Sequence, residues 1–125
     1  MKKQVERKER SMNLTEMKCV PCRGDVPPLT NDEIQAHLPE VPEWEVIELK
    51  GIPRLDRQYK FKNFAQALAF TNAVGELAEE QDHHPAILTE WGKVTVTWWT
   101  HKIKGLHLND FIMASRSDQA YAAIQ

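Results

Sequence analysis

The stretch from Glu79 to Asp110, EEQDHHPAILTEWGKVTVTWWTHKIKGLHLND, constrains most what this chain can fold into. Pro85 pushes His84 out of helical geometry, so the paired histidines His83 and His84 mark a helix-to-strand junction. Residues 86–91 and 93–101 then read as two strands joined by a tight turn near Gly92. Val94, Val96 and Trp98 alternate with Thr95, Thr97, Trp99 and His101, the period-2 pattern of a half-buried strand, and the first set is expected in the core. Gly105 breaks the strand, and a last helix is expected from near His107. Leu106 and Phe111 have the spacing of a hydrophobic staple, with Asp110 at the third helical position. Phe111, Ile112, Ala114, Tyr121 and Ile124 supply its apolar face.

Ahead of this stretch the elements follow the same grammar. Residues 30–38 form a short helix that Thr30 caps, with Asp32 and Glu33 complementing the dipole in its first turn and Pro39 stopping it. Residues 44–50 and 54–62 are two strands joined around Gly51, Ile52 and Pro53. Leu55, Tyr59 and Phe61 alternate with Asp56, Gln58 and Lys60, while Arg57 breaks the parity and is expected at the sheet rim. Asn63 caps a long helix over residues 64–81. Phe64, Ala67, Leu68, Thr71, Val74, Gly75 and Ala78 make its packed stripe, widened by Phe70, Ala73 and Leu77. Glu76, Glu79 and Glu80 lie near its C-terminal end, where the dipole disfavours acids, which hints at a use other than stability. The order α-β-β-α-β-β-α predicts an α+β fold: a single domain with a four-stranded antiparallel sheet and three helices on one face.

With 125 residues there is room for one core. A net charge of -2, with 42% hydrophobic and 27% charged residues, gives no nucleic-acid surface. No apolar run is long enough for a membrane span. Residues 1–13 are rich in Lys, Arg and Glu and are expected to form a disordered extension, with Met12 an alternative start. They lack the apolar run of a secretory signal, so a cytoplasmic location is expected. Residues 1–29 are assigned to an N-terminal extension and 30–125 to the domain. Cys19-Val20-Pro21-Cys22 lies in loop chemistry without a second ligand pair, so two reduced thiols are expected rather than a redox or zinc centre. His37 reads as a surface histidine.

If the hairpin closes near Trp91 and Gly92, His101 comes opposite His83 or His84, and the three rings converge. Imidazoles titrate near neutrality, so such a cluster can donate and accept protons. Two other readings stay open here: histidines on a rim with no joint role, and a zinc site, for which adjacent histidines are a poor chelate.

Glu79, three spacers, His83-His84-Pro85, an aromatic Trp91 after five residues, His101 after nine more and Asp110 after a further eight form one fixed pattern. That pattern resembles the signature of the pterin-4a-carbinolamine dehydratase family, and the resemblance covers roughly residues 30–125 with the same element order. It implies a dehydratase that expels the 4a-hydroxyl of a 4a-hydroxytetrahydropterin as water, giving the quinonoid dihydropterin in pterin recycling, without metal or organic cofactor. Carried over by position, His83 and His101 would be the acid/base pair and His84 would hold and polarise the substrate. Glu79 and Asp110 would orient the imidazoles, and Pro85 and Trp91 would complete the substrate-binding set. The family also implies a homodimer or homotetramer. Ile87 departs from the tryptophan of many animal members, and His107 stands where a small polar residue commonly caps the last helix. The same fold resembles interaction proteins that stabilise transcription-factor dimers or assist Rubisco assembly, an alternative that would need no intact histidine set.

Overall fold

The computed structural model describes residues 26–124 together with Leu14 and Met17; Cys19 and Cys22 lie outside the described residues. Thr30 caps helix α1 (Asn31–His37) through a reciprocal box, its Oγ1 accepting from Glu33 N–H at 3.2 Å while Glu33 Oε1 accepts from Thr30 N–H at 2.8 Å. Pro39 does not stop the chain at once. It tightens residues Leu38–Glu40 into a 3₁₀ turn, after which Val41 and Trp44 anchor the segment in the core.

Strands β1 (Glu45–Leu49) and β2 (Ile52–Lys60) pair antiparallel with Leu49 opposite Ile52. The turn is therefore two residues, Lys50 and Gly51, both at positive φ (55° and 77°), and Ile52 and Pro53 belong to the strand. Pro53 is tolerated there because β2 meets its other neighbour only from Leu55 onward. Helix α2 (Phe64–Gln81) starts at Asn63, whose side chain accepts from Gln66 N–H at 2.9 Å. Strands β3 (Ala86–Glu90) and β4 (Lys93–Trp98) form the second hairpin, and α3 (Leu108–Ile124) closes the fold.

Among the described residues, four strands lie in the order β1-β2-β4-β3, all antiparallel, with three α-helices. Val94, Val96 and Trp98 are fully buried, as their parity predicts. On the same face lie Leu55 and Tyr59, and against them pack Ala67, Phe70, Val74 and Ala78 of α2 and Phe111, Ile112 and Ala114 of α3. The buried stripe of α2, Ala67, Phe70, Val74 and Ala78, is narrower than its apolar residues suggest. Phe64 and Leu68 stay exposed at 44% and 43%. Arg57 turns to the core face instead of the rim, donating to Asp118 Oδ1 at 2.7 Å with its guanidinium over Tyr59. His37 is only partly exposed, its ring 5.2 Å from Phe111. Among the described residues no helix is long and apolar enough to cross a membrane.

Candidate active site

The C-terminal end of α2 delivers the first two histidines. Asp82 ends the helix in the left-handed region (φ 54°), its N–H reaching the Glu79 carbonyl at 3.4 Å, while the His83 N–H reaches the Ala78 carbonyl at 3.1 Å. These are the two crossed hydrogen bonds of a Schellman turn, with aspartate in the place glycine usually takes. The reversal turns His83 into the protein and leaves His84 outside, extended ahead of Pro85, so the two neighbours face different surroundings.

His83 is 9% exposed and sits against the indole of Trp98, ring centroids 5.6 Å apart and planes 12° from parallel. Its Nε2 lies 2.6 Å from Asp110 Oδ1. Asp110 has no exposed surface, so its charge has to be met by donors. Besides His83, its Oδ2 accepts from Thr100 Oγ1–H at 2.7 Å and from His107 N–H at 3.0 Å. A carboxylate only accepts, so in this contact His83 donates a proton from Nε2. The bond from His107 makes Asp110 half of a capping box for α3. The other half is an imidazole: His107 Nδ1 accepts from Asn109 N–H at 3.0 Å, doing the work of the small polar cap. Leu106 and Phe111, both fully buried, staple the same helix start.

His84 is half-exposed and shares a 2.6 Å hydrogen bond from Nε2 to Glu79 Oε2. That pairing accounts for an acid at the unfavourable end of α2; its neighbour Glu80 faces Arg116 at 3.9 Å. His101 is exposed and does not end the strand as expected. β4 stops at Trp98, and after Thr100 the chain enters a 3₁₀ turn, His101–Ile103. The register Ala86 to Thr97 would, if continued, set His101 across from Asp82 rather than from a histidine. What joins the segments is Asp110, which binds both His83 and Thr100, the residue before His101.

Trp91 is not brought to this cluster. It is 69% exposed at the β3–β4 turn, the far end of a five-residue strand from Pro85. Gly92 beside it is packed tightly, since a Cβ there would stand 3.1 Å from the Phe61 carbonyl oxygen. A shallow groove of about 760 Å³ runs along α2, lined by Thr71, Gly75, Glu79 and Ile87 among others; it reaches Glu79 but no histidine. Among the described residues no cluster of His, Cys, Asp and Glu has the arrangement of a metal site.

Sequence reasoning overlooked Thr100, Trp98 as a partner of His83, and Asp82. Thr100 left a signal. By parity it shares the buried face of Val94, Val96 and Trp98, and a hydroxyl at a core position needs a polar partner.

Comparisons with known proteins place the chain in a family. The family model described as pterin 4 alpha carbinolamine dehydratase matches residues 27–120. A protein of Microcystis aeruginosa named "Putative pterin-4-alpha-carbinolamine dehydratase" is 57% identical over 108 residues, covering 86% of this chain and 93% of its own. One of Nitrosococcus oceani with the same name is 60% identical over 107 residues, covering 86% and 95%. Among solved structures, a transcriptional coactivator/pterin dehydratase from Brucella melitensis superposes with a TM-score of 0.68 at 30% identity, over 74% of this chain and 97% of that one. A pterin dehydratase-like protein described as a RuBisCO assembly factor in the alpha-carboxysome gives a TM-score of 0.54 at 25% identity, over 63% and 89%. With a family match over most of its length and relatives this similar, the chain belongs to the pterin 4 alpha carbinolamine dehydratase family.

Proposed function

We propose that this protein dehydrates a 4a-hydroxytetrahydropterin to the quinonoid dihydropterin and water, by histidine acid/base catalysis with no metal or organic cofactor. The observation that carries the reading is the buried contact of His83 Nε2 with Asp110 Oδ1 at 2.6 Å, which supports a proton held on Nε2 and, in this reading, leaves Nδ1 to exchange. The reaction breaks the C4a–O bond as an acid protonates the leaving hydroxyl. A base removes the N5 proton, and the electron pair left on N5 forms the C4a–N5 double bond. Two proton transfers of opposite sense ask for two imidazoles in complementary states, the role assigned to His83 and His101. His84, steadied by Glu79, holds and polarises the substrate. Pterin recycling is the setting this activity serves, and a homodimer or homotetramer is the assembly, to be read by light scattering.

The test is the decay of freshly generated 4a-hydroxytetrahydropterin, followed by absorbance, with and without chelator-treated protein. Acceleration is expected, and loss of it in folded His83→Ala and His101→Ala variants. An unchanged decay with folded wild-type protein would overturn the reading. It would favour the second one, a non-catalytic interaction or assembly factor, for which the likeness to a RuBisCO assembly factor speaks.

A further inference from the structure

His83 and His84 each rest on a carboxylate, but no hydrogen bond or carboxylate holds the His101 imidazole among the described residues. Its backbone is fixed all the same. Thr100 N–H donates to the Gly105 carbonyl at 2.9 Å, Gly105 N–H to the Thr100 carbonyl at 3.4 Å, and Lys104 N–H to the His101 carbonyl at 3.2 Å. Lys104 takes the left-handed region at φ 53°, and Gly105 lies so close to Pro28 that a Cβ would stand 2.7 Å from the proline Cβ. The base of the turn is therefore rigid, and the open question is what sets the ring.

The ring rests on Trp99, centroids 4.6 Å apart with planes inclined by 32°. Trp99 in turn meets Arg54, whose guanidinium carbon is 4.0 Å from the indole centroid. Arg54 is only 8% exposed; its Nη2 donates to the Leu49 carbonyl at 3.1 Å, and its buried Nε has no hydrogen-bond partner among the described residues. A buried cation short of acceptors gains from the face of an indole, and the planar guanidinium in turn fixes the plane of that indole.

We propose that Trp99, held by Arg54, is the positioning residue for His101 in the dehydration described above, a deepening that rests on the dehydratase reading. A carboxylate orients an imidazole by occupying one of its nitrogens. An indole sets the ring through its face and leaves both nitrogens to the substrate, which suits a histidine standing at the surface of the turn. The three imidazoles thus have three different holders: a buried aspartate, an exposed glutamate and a cation-backed tryptophan.

The experiment pairs kinetics with NMR on full-length protein. In Trp99→Leu, kcat should fall roughly 10- to 100-fold, the cost of letting an acid/base group wander, with KM within about twofold of wild type. Trp99→Phe should restore most of the loss, because a smaller aromatic face still supports the ring. The imidazole proton resonances of His101 should carry a ring-current shift that Trp99→Leu removes, while those of His83 and His84 stay in place. Should Trp99→Leu fail to fold, Arg54→Met, which leaves the indole in place, should lower kcat severalfold and shrink the same shift. A rise in KM at constant kcat would make Trp99 a wall of the substrate site and overturn the positioning role, as would an active variant with unmoved His101 resonances. An inactive wild type would bring down the dehydratase reading and this one with it; an active wild type beside an indifferent Trp99→Leu variant overturns only the positioning.

Discussion

Helix α3 carries two aspartates that each collect donors from across the fold, and they do opposite things. Asp110, fully buried, gathers His83, Thr100 and the His107 amide. Asp118, partly exposed, gathers Trp44 Nε1 at 2.9 Å, Arg57 Nη1 at 2.7 Å and the Tyr59 hydroxyl at 2.5 Å. The clusters look alike as hydrogen-bond counts, but their donors differ in what they can release. An indole N–H and a guanidinium do not titrate near neutrality. The Tyr59 hydroxyl is pushed far above the ordinary phenol range, by burial first and then by the charge and hydrogen bond of Asp118, against a smaller opposing pull from Arg57. The Asp118 cluster is therefore a clamp tying α3 to β2 and the segment before β1. At Asp110 one donor is an imidazole with a second nitrogen to spare, and in the proposed dehydration the same geometry would serve proton transfer. Chemistry follows from the partner, not from the carboxylate.

The sharpest way to break this contrast is to neutralise each aspartate in turn. Asp110→Asn keeps the size of the group but offers His83 an amide, so the tautomer is no longer dictated; kcat for dehydration should fall by about 100-fold or more. Asp118→Asn should leave kcat of the folded protein within about twofold, and steady-state assays of the pair read the difference. If both fell alike, the clamp would belong to the site.

The next largest effect is on stability. Asp118→Ala strips the acceptor from three donors, one of them the mostly enclosed Arg57 cation, and should cost about 2–3 kcal/mol in urea unfolding. A loss within experimental error would show the clamp to be ornamental.

Alkaline titration separates the clusters by another property. The fold holds Tyr59 as the neutral phenol, whereas the unfolded chain ionises it near its ordinary 10.0. A group whose pKa is raised on folding contributes fully below the unfolded value and loses that contribution as pH climbs above it. Wild-type stability should thus fall above pH 10 by an extra ~1.4 kcal/mol per pH unit relative to Tyr59→Phe. Parallel curves for the two proteins would rule this out. The smallest expected effect is at the turn that delivers His83: Asp82→Gly relieves a left-handed aspartate and should change stability by under about 1 kcal/mol, leaving activity in place. A large loss of activity would mean that Asp82 does more than end a helix.

Much of the fold was legible in the chain because local rules and burial pointed the same way. Thr30 and Asn63 start their helices where their side chains can accept an N–H, and Val94, Val96 and Trp98 are buried because period-2 alternation leaves them no other face. Glu79 at a helix end that disfavours acids was a readable sign, and the structure gives it His84 as partner. The failures have two different origins. Arg57 breaks an apolar alternation, and only Asp118, 61 residues further on, explains why a cation is tolerated there. Ile52 and Pro53 read as turn residues, yet Lys50 accepts positive φ and releases them to the strand.

The sequence by itself determined the elements, their order, the pairing of the hairpins and the residue types able to carry acid/base work, because these depend on contacts between near neighbours and on periodicity. It also carried the family pattern from Glu79 to Asp110. Only the tertiary structure decided which partner each imidazole receives: Asp110 for His83, Glu79 for His84 and Trp99 for His101. Orientation of a ring is set by side chains that meet in space, and His83 meets Asp110 only once α3 has folded back against the sheet. The same folding leaves Trp91, fixed in spacing by the sequence pattern, at the opposite end of the hairpin, since a strand holds its two ends apart by its own length.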